Sequence, residues 1–392
     1  MNTAPSVHTQ RIESVRRSLA QQQLDAIIIS VQENRHYLSG FSAQDGQFDE
    51  TAGVLFIDPQ RQILVTDSRY ELEARHQAAE FEVRCYRKKL AQFLAEMFQE
   101  LGVRRLGFES KRVTVQQRRE LDDCLKQAGS QTTLVPTEDV VEQLRLIKDL
   151  QEIERTRAAL RLAEKAFENV LGALTPGMTE IEMAWALEEQ MRRLGAQGVS
   201  FPVIVAAGPN SALPHAVPSE RVITADEPLL IDWGARLQGY CSDTTRTVSN
   251  GRATDRYKTI YRIVHEAQQK AIAAMAPGAS AKLVDSVALD HIAAAGYGDF
   301  FGNGLGHGTG LAIHEAPRLS PLSDDTLQPG MICTVEPGIY LPDWGGVRLE
   351  NQVLVTEAGV EVLEQAWRGS RFREFRESLR TYPGARGLQQ SR

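Results

Sequence analysis

The first ~140 residues interleave two hydrophobic patterns. Mostly apolar runs at 26–30, 54–58, 63–67, 81–86 and 105–109 predict short strands, and segments with helical spacing near 9–23, 89–101 and 114–127 lie among them. Short strands alternating with helices predict a layered α/β domain. Asp58-Pro59-Gln60, between two of the runs, predicts a hairpin turn. Val135-Pro136-Thr137 reads as a junction, and a long helical pattern over roughly 138–174 follows it. No catalytic grouping stands out in this part of the chain.

Beyond the junction the pattern repeats. Ala173-Leu174-Thr175-Pro176-Gly177-Met178-Thr179 recurs 101 residues later as Ala274-Met275-Ala276-Pro277-Gly278-Ala279-Ser280, and Gly195 recurs as Gly296. Each copy reads as a helix, a Pro-Gly break, a second helix and a closing glycine. Thr179 with Glu182 spells a capping box, and Ser280 is an N-cap candidate. Two related halves predict a site between them, with residues from both.

Each half leads into strands that carry acids. Leu229-Leu230-Ile231-Asp232 runs on to Asp243, and Cys333-Thr334-Val335-Glu336 runs on to Glu350. In both, a carboxylate ends an apolar strand, a glycine-containing turn follows, and a second carboxylate sits on the return strand. An antiparallel pair can bring the two together. One acid in an apolar strand is usually a satisfied structural group, because burying it unpaired is costly. Four need several positive charges. Arg246 and Arg348 supply some, and two divalent metal ions would supply more through oxygen-rich ligation.

Between the halves, glycine occupies every second position from Gly302 to Gly310, and His307 stands among them. Glycine inside a strand marks close approach of backbone or ligand. A lone histidine is more often structural, but one amid alternating glycines and beside four acids reads as a ligand. His215 and His314 lie near equivalent places in the two halves.

Composition narrows the picture. Acidic residues outnumber basic ones 51 to 44 over 392 residues, which argues against a dedicated nucleic-acid binder. The four cysteines, Cys85, Cys124, Cys241 and Cys333, are scattered and spell neither a disulfide framework nor a zinc knuckle. No apolar run approaches a membrane span, and the first residues lack the apolar core of a secretory signal. A cytoplasmic protein is expected. The last stretch, 367–392, holds seven arginines against two glutamates and reads as a basic tail, solvated or docked on a partner. HExxH, GxSxG, P-loop and GxGxxG motifs are absent, which lowers zincin, serine-hydrolase and nucleotide-binding readings.

The segments GYCSDTTRTV (239–248), GHGTGLAIHE (306–315), VEPGIY (335–340) and GGVRLEN (345–351) closely resemble the pita-bread metallopeptidases: Xaa-Pro dipeptidases, Xaa-Pro aminopeptidases, methionine aminopeptidases and the related creatinases. The resemblance implies an α+β protein with three parts. A smaller α/β creatinase-type N-terminal domain (1–137) precedes a pita-bread catalytic domain with a pseudo-twofold repeat (138–366), and the basic tail (367–392) follows. By position, Asp232, Asp243, His307, Glu336 and Glu350 match the family's five metal ligands, with Asp243 and Glu350 as bridges, Asp232 completing one metal, and His307 with Glu336 completing the other. His215 and His314 match active-site histidines that contact substrate. Tyr340 and Arg348 match positions near the metals and substrate, and Glu336 matches the group that moves the proton.

The implied activity is dinuclear-metal hydrolysis of the X–Pro bond in dipeptides or short peptides, by a cytoplasmic homodimer using manganese or cobalt, with zinc or iron also compatible. No nucleic acid or membrane partner is expected. Alternatives are an Xaa-Pro aminopeptidase, a metal-dependent C–N hydrolase of a small non-peptide substrate, and a non-catalytic binding module. Creatinases lack the full ligand set and binding modules have typically lost ligands, whereas all five positions are intact here.

Overall fold

The computed structural model describes residues 6–47, 50–249, 251–302 and 304–364. The basic tail expected over 367–392 lies outside them. The chain divides after Arg145 into two units.

The first unit runs α1 (Val7–Gln21), β1 (Ala26–Ile29), α2 (Gln32–Ser39), β2 (Val54–Ile57), β3 (Gln62–Asp67), α3 (Glu71–Gln77), β4 (Glu82–Tyr86), α4 (Leu90–Glu100), β5 (Arg105–Glu109), α5 (Val115–Gln127), β6 (Thr133–Thr137) and α6 (Glu142–Arg145). Its strands form one sheet in the order β4-β3-β2-β1-β5-β6. The β2–β3 hairpin is antiparallel, with Ile57 opposite Gln62, as its turn sequence predicts. β1 and β2 are buried along their whole length, which is why they read as continuous apolar runs. Phe56 stacks on Phe98 of α4 in the core between sheet and helices.

The expected helix over 138–174 is two helices, and Val135-Pro136-Thr137, read above as a junction, ends the strand β6. Pro136 is tolerated there because β6 is an edge strand. The second helix starts at Asp149, which forms a capping box with Glu152.

The second unit contains α7 (Leu150–Gly172), α8 (Glu180–Arg193), β7 (Gly198–Val199), β8 (Ile204–Ala207), β9 (Pro228–Trp233), β10 (Ala235–Leu237), β11 (Tyr240–Cys241), β12 (Thr244–Ser249), α9 (Asp255–Ala274), α10 (Ala281–Ala294), β13 (Gly306–Gly308), β14 (Glu315–Leu319), β15 (Ile332–Val335), β16 (Gly338–Leu341), β17 (Gly345–Arg348), β18 (Asn351–Thr356) and β19 (Gly359–Val362). The repeat is real in three dimensions. α7–α8 and α9–α10 are matching helical hairpins, and Gly177 and Gly278 take left-handed backbone angles of 91° and 84° in the two breaks. Thr179 bridges Val222 and Ser280 bridges Thr326, so each second helix hangs from an extended segment of its own half. Behind the helices lie the sheets β12-β9-β8 and β14-β13-β15-β18-β19, with β9 and β15 inside them. Both halves have their own apolar core. Among the described residues no helix is long and apolar enough to cross a membrane, and all four cysteines are free thiols.

Candidate active site

β9 and β12 pair antiparallel with Asp232 opposite Thr245, which leaves Asp243 at the mouth of the same hairpin. β15 and β18 pair with Val335 opposite Asn351, and the register carries on to set Glu336 beside Glu350. The two hairpins meet where Glu350 donates its backbone N–H to the carbonyl of Thr245 at 3.1 Å. Asp232, Asp243 and Glu350 are all buried, and each offers a carboxylate oxygen within 4.8 Å of the others.

His307 comes in on β13, wedged between β14 and β15. A Cβ on Gly306 would stand 2.1 Å from the carbonyl oxygen of Thr334, and one on Gly308 would stand 2.1 Å from that of Ala316. The alternating glycines thus mark a close backbone approach, as expected. The His307 ring places Nε2 3.4 Å from Glu336 Oε1 and 3.5 Å from Asp243 Oδ2. The ring of His314 stands edge-on to it at 4.4 Å. His215, Tyr340 and Arg348 line the same cavity of about 610 Å³ as Asp232, His307 and Glu336. All the candidate residues therefore gather in one unit.

Arg348 is the fixed cation of this group. Its Nη2 donates to Asp232 Oδ2 at 2.6 Å, its Nε to Thr245 Oγ1 at 3.0 Å, and its Nη1 to both the Tyr340 hydroxyl and the Pro214 carbonyl at 3.0 Å. Through Pro214 it also holds the loop that carries His215. Arg246, the other candidate counter-charge, does not face the acids. Its guanidinium donates to the backbone carbonyls of Thr245 and Glu350.

One arginine does not balance four acids. Burial first, and then the neighbouring Glu350, raises the Asp243 carboxyl well above the carboxylate range. Burial, followed by Glu336 and Asp232, does the same to Glu350. Burial lifts Glu336 to about 7 against the pull of Arg348. Burial lowers the His307 imidazole below its ordinary value, and His314 falls to about 4 through burial and then the adjacent His307.

The donor set matches a cation. His307 Nδ1 lies 3.0 Å from the carbonyl of Gly308, an acceptor, so that nitrogen carries the ring proton. Nε2 then turns a lone pair toward two carboxylates. Asp232 Oδ1 and Glu350 Oε1 are buried with no protein partner. Lone pairs and orphaned anionic oxygens converging on one space are the arrangement a divalent ion satisfies.

Several residues here carried no sequence signal of their own. Thr245 donates to Glu350 Oε2 at 2.7 Å, and Thr334 accepts from the His307 N–H and donates to Glu336 Oε1, both at 3.0 Å. Their spacing was available: each lies two residues from an acid, hence on the same strand face. Gln352 accepts the Asp243 N–H at 3.2 Å. Arg318 lines the cavity from β14 with nothing local to announce it.

Residues 154–357 match the model of metallopeptidase family M24, and residues 11–147 match the creatinase/prolidase N-terminal domain. A solved Xaa-Pro dipeptidase from Bacillus anthracis is 39% identical, with a TM-score of 0.86 over 92% of this chain and 98% of its own. A solved X-Pro aminopeptidase from Thermotoga maritima is 36% identical, with a TM-score of 0.81 over 90% of this chain and 98% of its own. The Xaa-Pro dipeptidase of Pyrococcus horikoshii is 34% identical over 92% of this chain and 99% of its length. A doubled unit that follows a creatinase-type domain in the chain is the pita-bread architecture, and the chain belongs to metallopeptidase family M24.

Proposed function

We propose that this chain is a dinuclear-metal hydrolase that cleaves the X–Pro bond of dipeptides or short peptides. The observation that carries the reading is the convergence of three buried carboxylates on one space, with the unprotonated Nε2 of His307 and Glu336 beside it. Asp232, Asp243, His307, Glu336 and Glu350 would together hold the two cations. When bound, such a pair supplies an acidified water as nucleophile and Lewis-acid polarisation of the scissile carbonyl. Oxygen-rich donors with one imidazole suit manganese or cobalt. A cytoplasmic homodimer belongs to the same reading on the strength of the family resemblance.

The chain's own groups do the rest. Glu336 takes a proton from the attacking water and delivers it to the departing nitrogen. That nitrogen belongs to a tertiary amide, so it must be protonated to leave as proline. His314, neutral because its pKa is about 4, can turn a ring N–H toward the carbonyl oxygen as charge develops there. Arg348 fixes the Asp232 carboxylate.

Proline offers no N–H to grip, so recognition rests on shape, and Phe201, Ile204, Val217 and Ile313 give the cavity an apolar wall. Arg318 puts a cation in the same cavity, suited to the free carboxylate that a dipeptide carries one residue past the scissile bond. This favours dipeptides over longer chains. The aminopeptidase reading is kept open by the likeness to the Thermotoga maritima structure.

The test is a substrate panel of Ala-Pro, Gly-Pro, Ala-Pro-Ala, Met-Ala-Ser and creatine, run on chelator-stripped protein with manganese and then cobalt. Hydrolysis of the two dipeptides, dependent on added metal, is expected. Faster cleavage of Ala-Pro-Ala would make the enzyme an aminopeptidase. Full activity in the stripped protein would end the metal reading.

A further inference from the structure

Helix α9 packs an apolar face against the second-half sheet, and every buried residue on it except one is aliphatic or tyrosine. The exception is Gln268, 3% exposed. Its Nε2 lies 3.0 Å from the carbonyl oxygen of Val335 and 2.9 Å from that of Leu349. Both partners are acceptors, so the NH₂ end of the amide must face them, one hydrogen to each. Val335 and Leu349 are the residues immediately before Glu336 and Glu350.

The other side of those two peptide groups is also fixed. The Glu336 N–H donates to the Leu305 carbonyl at 2.8 Å, and the Glu350 N–H donates to the Thr245 carbonyl at 3.1 Å. Each peptide plane that carries one of the glutamates is therefore held at its N–H by a neighbouring strand or turn and at its carbonyl by Gln268. One side chain sets both planes, and with them the directions in which two acids leave the backbone. Removing it would leave two buried carbonyls without this partner and two planes free to tilt.

The repeat supplies a contrast. The position 101 residues earlier is Phe167, whose ring stacks on Trp233, next to Asp232, with centroids 4.0 Å apart. The first half steadies its acid-bearing strand by apolar stacking. The second half has Pro337 after its acid instead, and uses an amide clamp.

We infer that Gln268 is a positioning residue that aligns Glu336 and Glu350 for metal binding; this rests on the metal-site reading above. Manganese titration of the stripped protein by calorimetry tests it, alongside kcat and KM for Ala-Pro. Gln268→Met keeps the length and apolar bulk of the side chain but has no N–H. It should weaken manganese binding about tenfold or more, the usual penalty for losing a group that orients a ligand, and lower kcat with KM nearly unchanged.

Val264→Ala, one turn earlier on the same buried face, is the control for simple loosening of the helix. It should lower the melting temperature and leave manganese affinity as in the wild type. Wild-type affinity in Gln268→Met, or equal weakening in Val264→Ala, overturns the inference. If Gln268→Met does not fold, Gln268→Asn, whose amide is one methylene too short to reach, should show the same loss, and wild-type affinity there overturns the inference equally. A wild-type protein that binds no manganese at all would instead refute the metal-site reading.

Discussion

The two halves of the second unit share a scaffold and divide the chemistry. In both, a helical hairpin with a Pro-Gly break hangs from an extended segment, and an inner strand of the sheet delivers an acid, Asp232 from β9 and Glu336 from the end of β15. What surrounds the two acids differs. Asp232 meets a fixed cation, with Arg348 Nη2 at 2.6 Å. Glu336 meets neutral groups, the Thr334 hydroxyl donating at 3.0 Å and the unprotonated His307 Nε2 at 3.4 Å, and burial lifts it to about 7. The first-half acid is thus held in an ion pair, while burial favours a proton on the second-half acid. A doubled fold brings four carboxylates to one place by symmetry, but acid–base work needs them in unlike environments. Arg348, which crosses from the second half to the first, creates that difference.

The strongest way to break the comparison is to neutralise each acid in turn. Glu336→Gln should cut kcat by about 10²- to 10⁴-fold, the range for losing a general acid–base group, with little loss of fold. Asp232→Asn should behave differently. It leaves the Arg348 guanidinium buried without its carboxylate, so a loss of about 3–5 kcal/mol in unfolding free energy is expected along with the loss of activity. Steady-state kinetics and denaturant unfolding measure the two effects. Equal destabilisation by both substitutions would show that the acids are not divided as described.

A smaller effect tests the second half through pH. In the metal-free protein Glu336 titrates at about 7 when folded, against an ordinary value of 4.5, and Asp243 and Glu350 are also raised. Just below about 7 the folded chain therefore holds protons that the unfolded chain has shed, and stability rises as pH falls through that value. His307 and His314 work the other way, because their folded values lie below 6.5 and an unfolded histidine takes up a proton from there downward. The clean window lies above 6.5. Stripped protein should melt at a higher temperature at pH 6.5 than at about pH 8, and manganese-loaded protein should show the opposite trend, since metal binding requires the acids to release their protons. Parallel trends in the two forms would refute this account of the acids.

How much of this was written in the sequence depends on how far each interaction reaches along the chain. The Pro-Gly breaks, the Thr179–Glu182 box and the carboxylate-bearing strands are local patterns, and they fold as read. The split of the expected 138–174 helix was also signalled locally, by Asp149 and Glu152 in capping-box spacing, but the helical periodicity on both sides masked it. The β6 strand was hidden by Pro136, which only an edge position tolerates. The pairing of Arg348 with Asp232 joins residues 116 apart, and Gln268 reaches carbonyls 67 and 81 residues away. Local pattern marked Asp232 as an acid and Arg348 as a counter-charge but not that the two pair, and nothing near Gln268 distinguishes it from any other buried polar group, so only the assembled sheets show these roles.

The smallest expected effect is the most local one, and it sharpens the comparison where the halves look most alike. Thr179 and Ser280 occupy equivalent N-caps, and each forms a backbone bridge to an extended segment. Thr179 also accepts from the Glu182 N–H at 3.3 Å while Glu182 Oε2 accepts from the Thr179 N–H at 2.9 Å. The Ser280 side chain makes no capping bond, so its helix start depends on the bridge to Thr326 and on the Ala281 N–H donating to the Asp325 carbonyl at 3.0 Å. Thr179→Ala should therefore cost about 1 kcal/mol of unfolding free energy, whereas Ser280→Ala should stay within about 0.5 kcal/mol of wild type. Equal losses would mean that the serine caps its helix in solution and that the two helix starts are as alike in energy as they are in sequence.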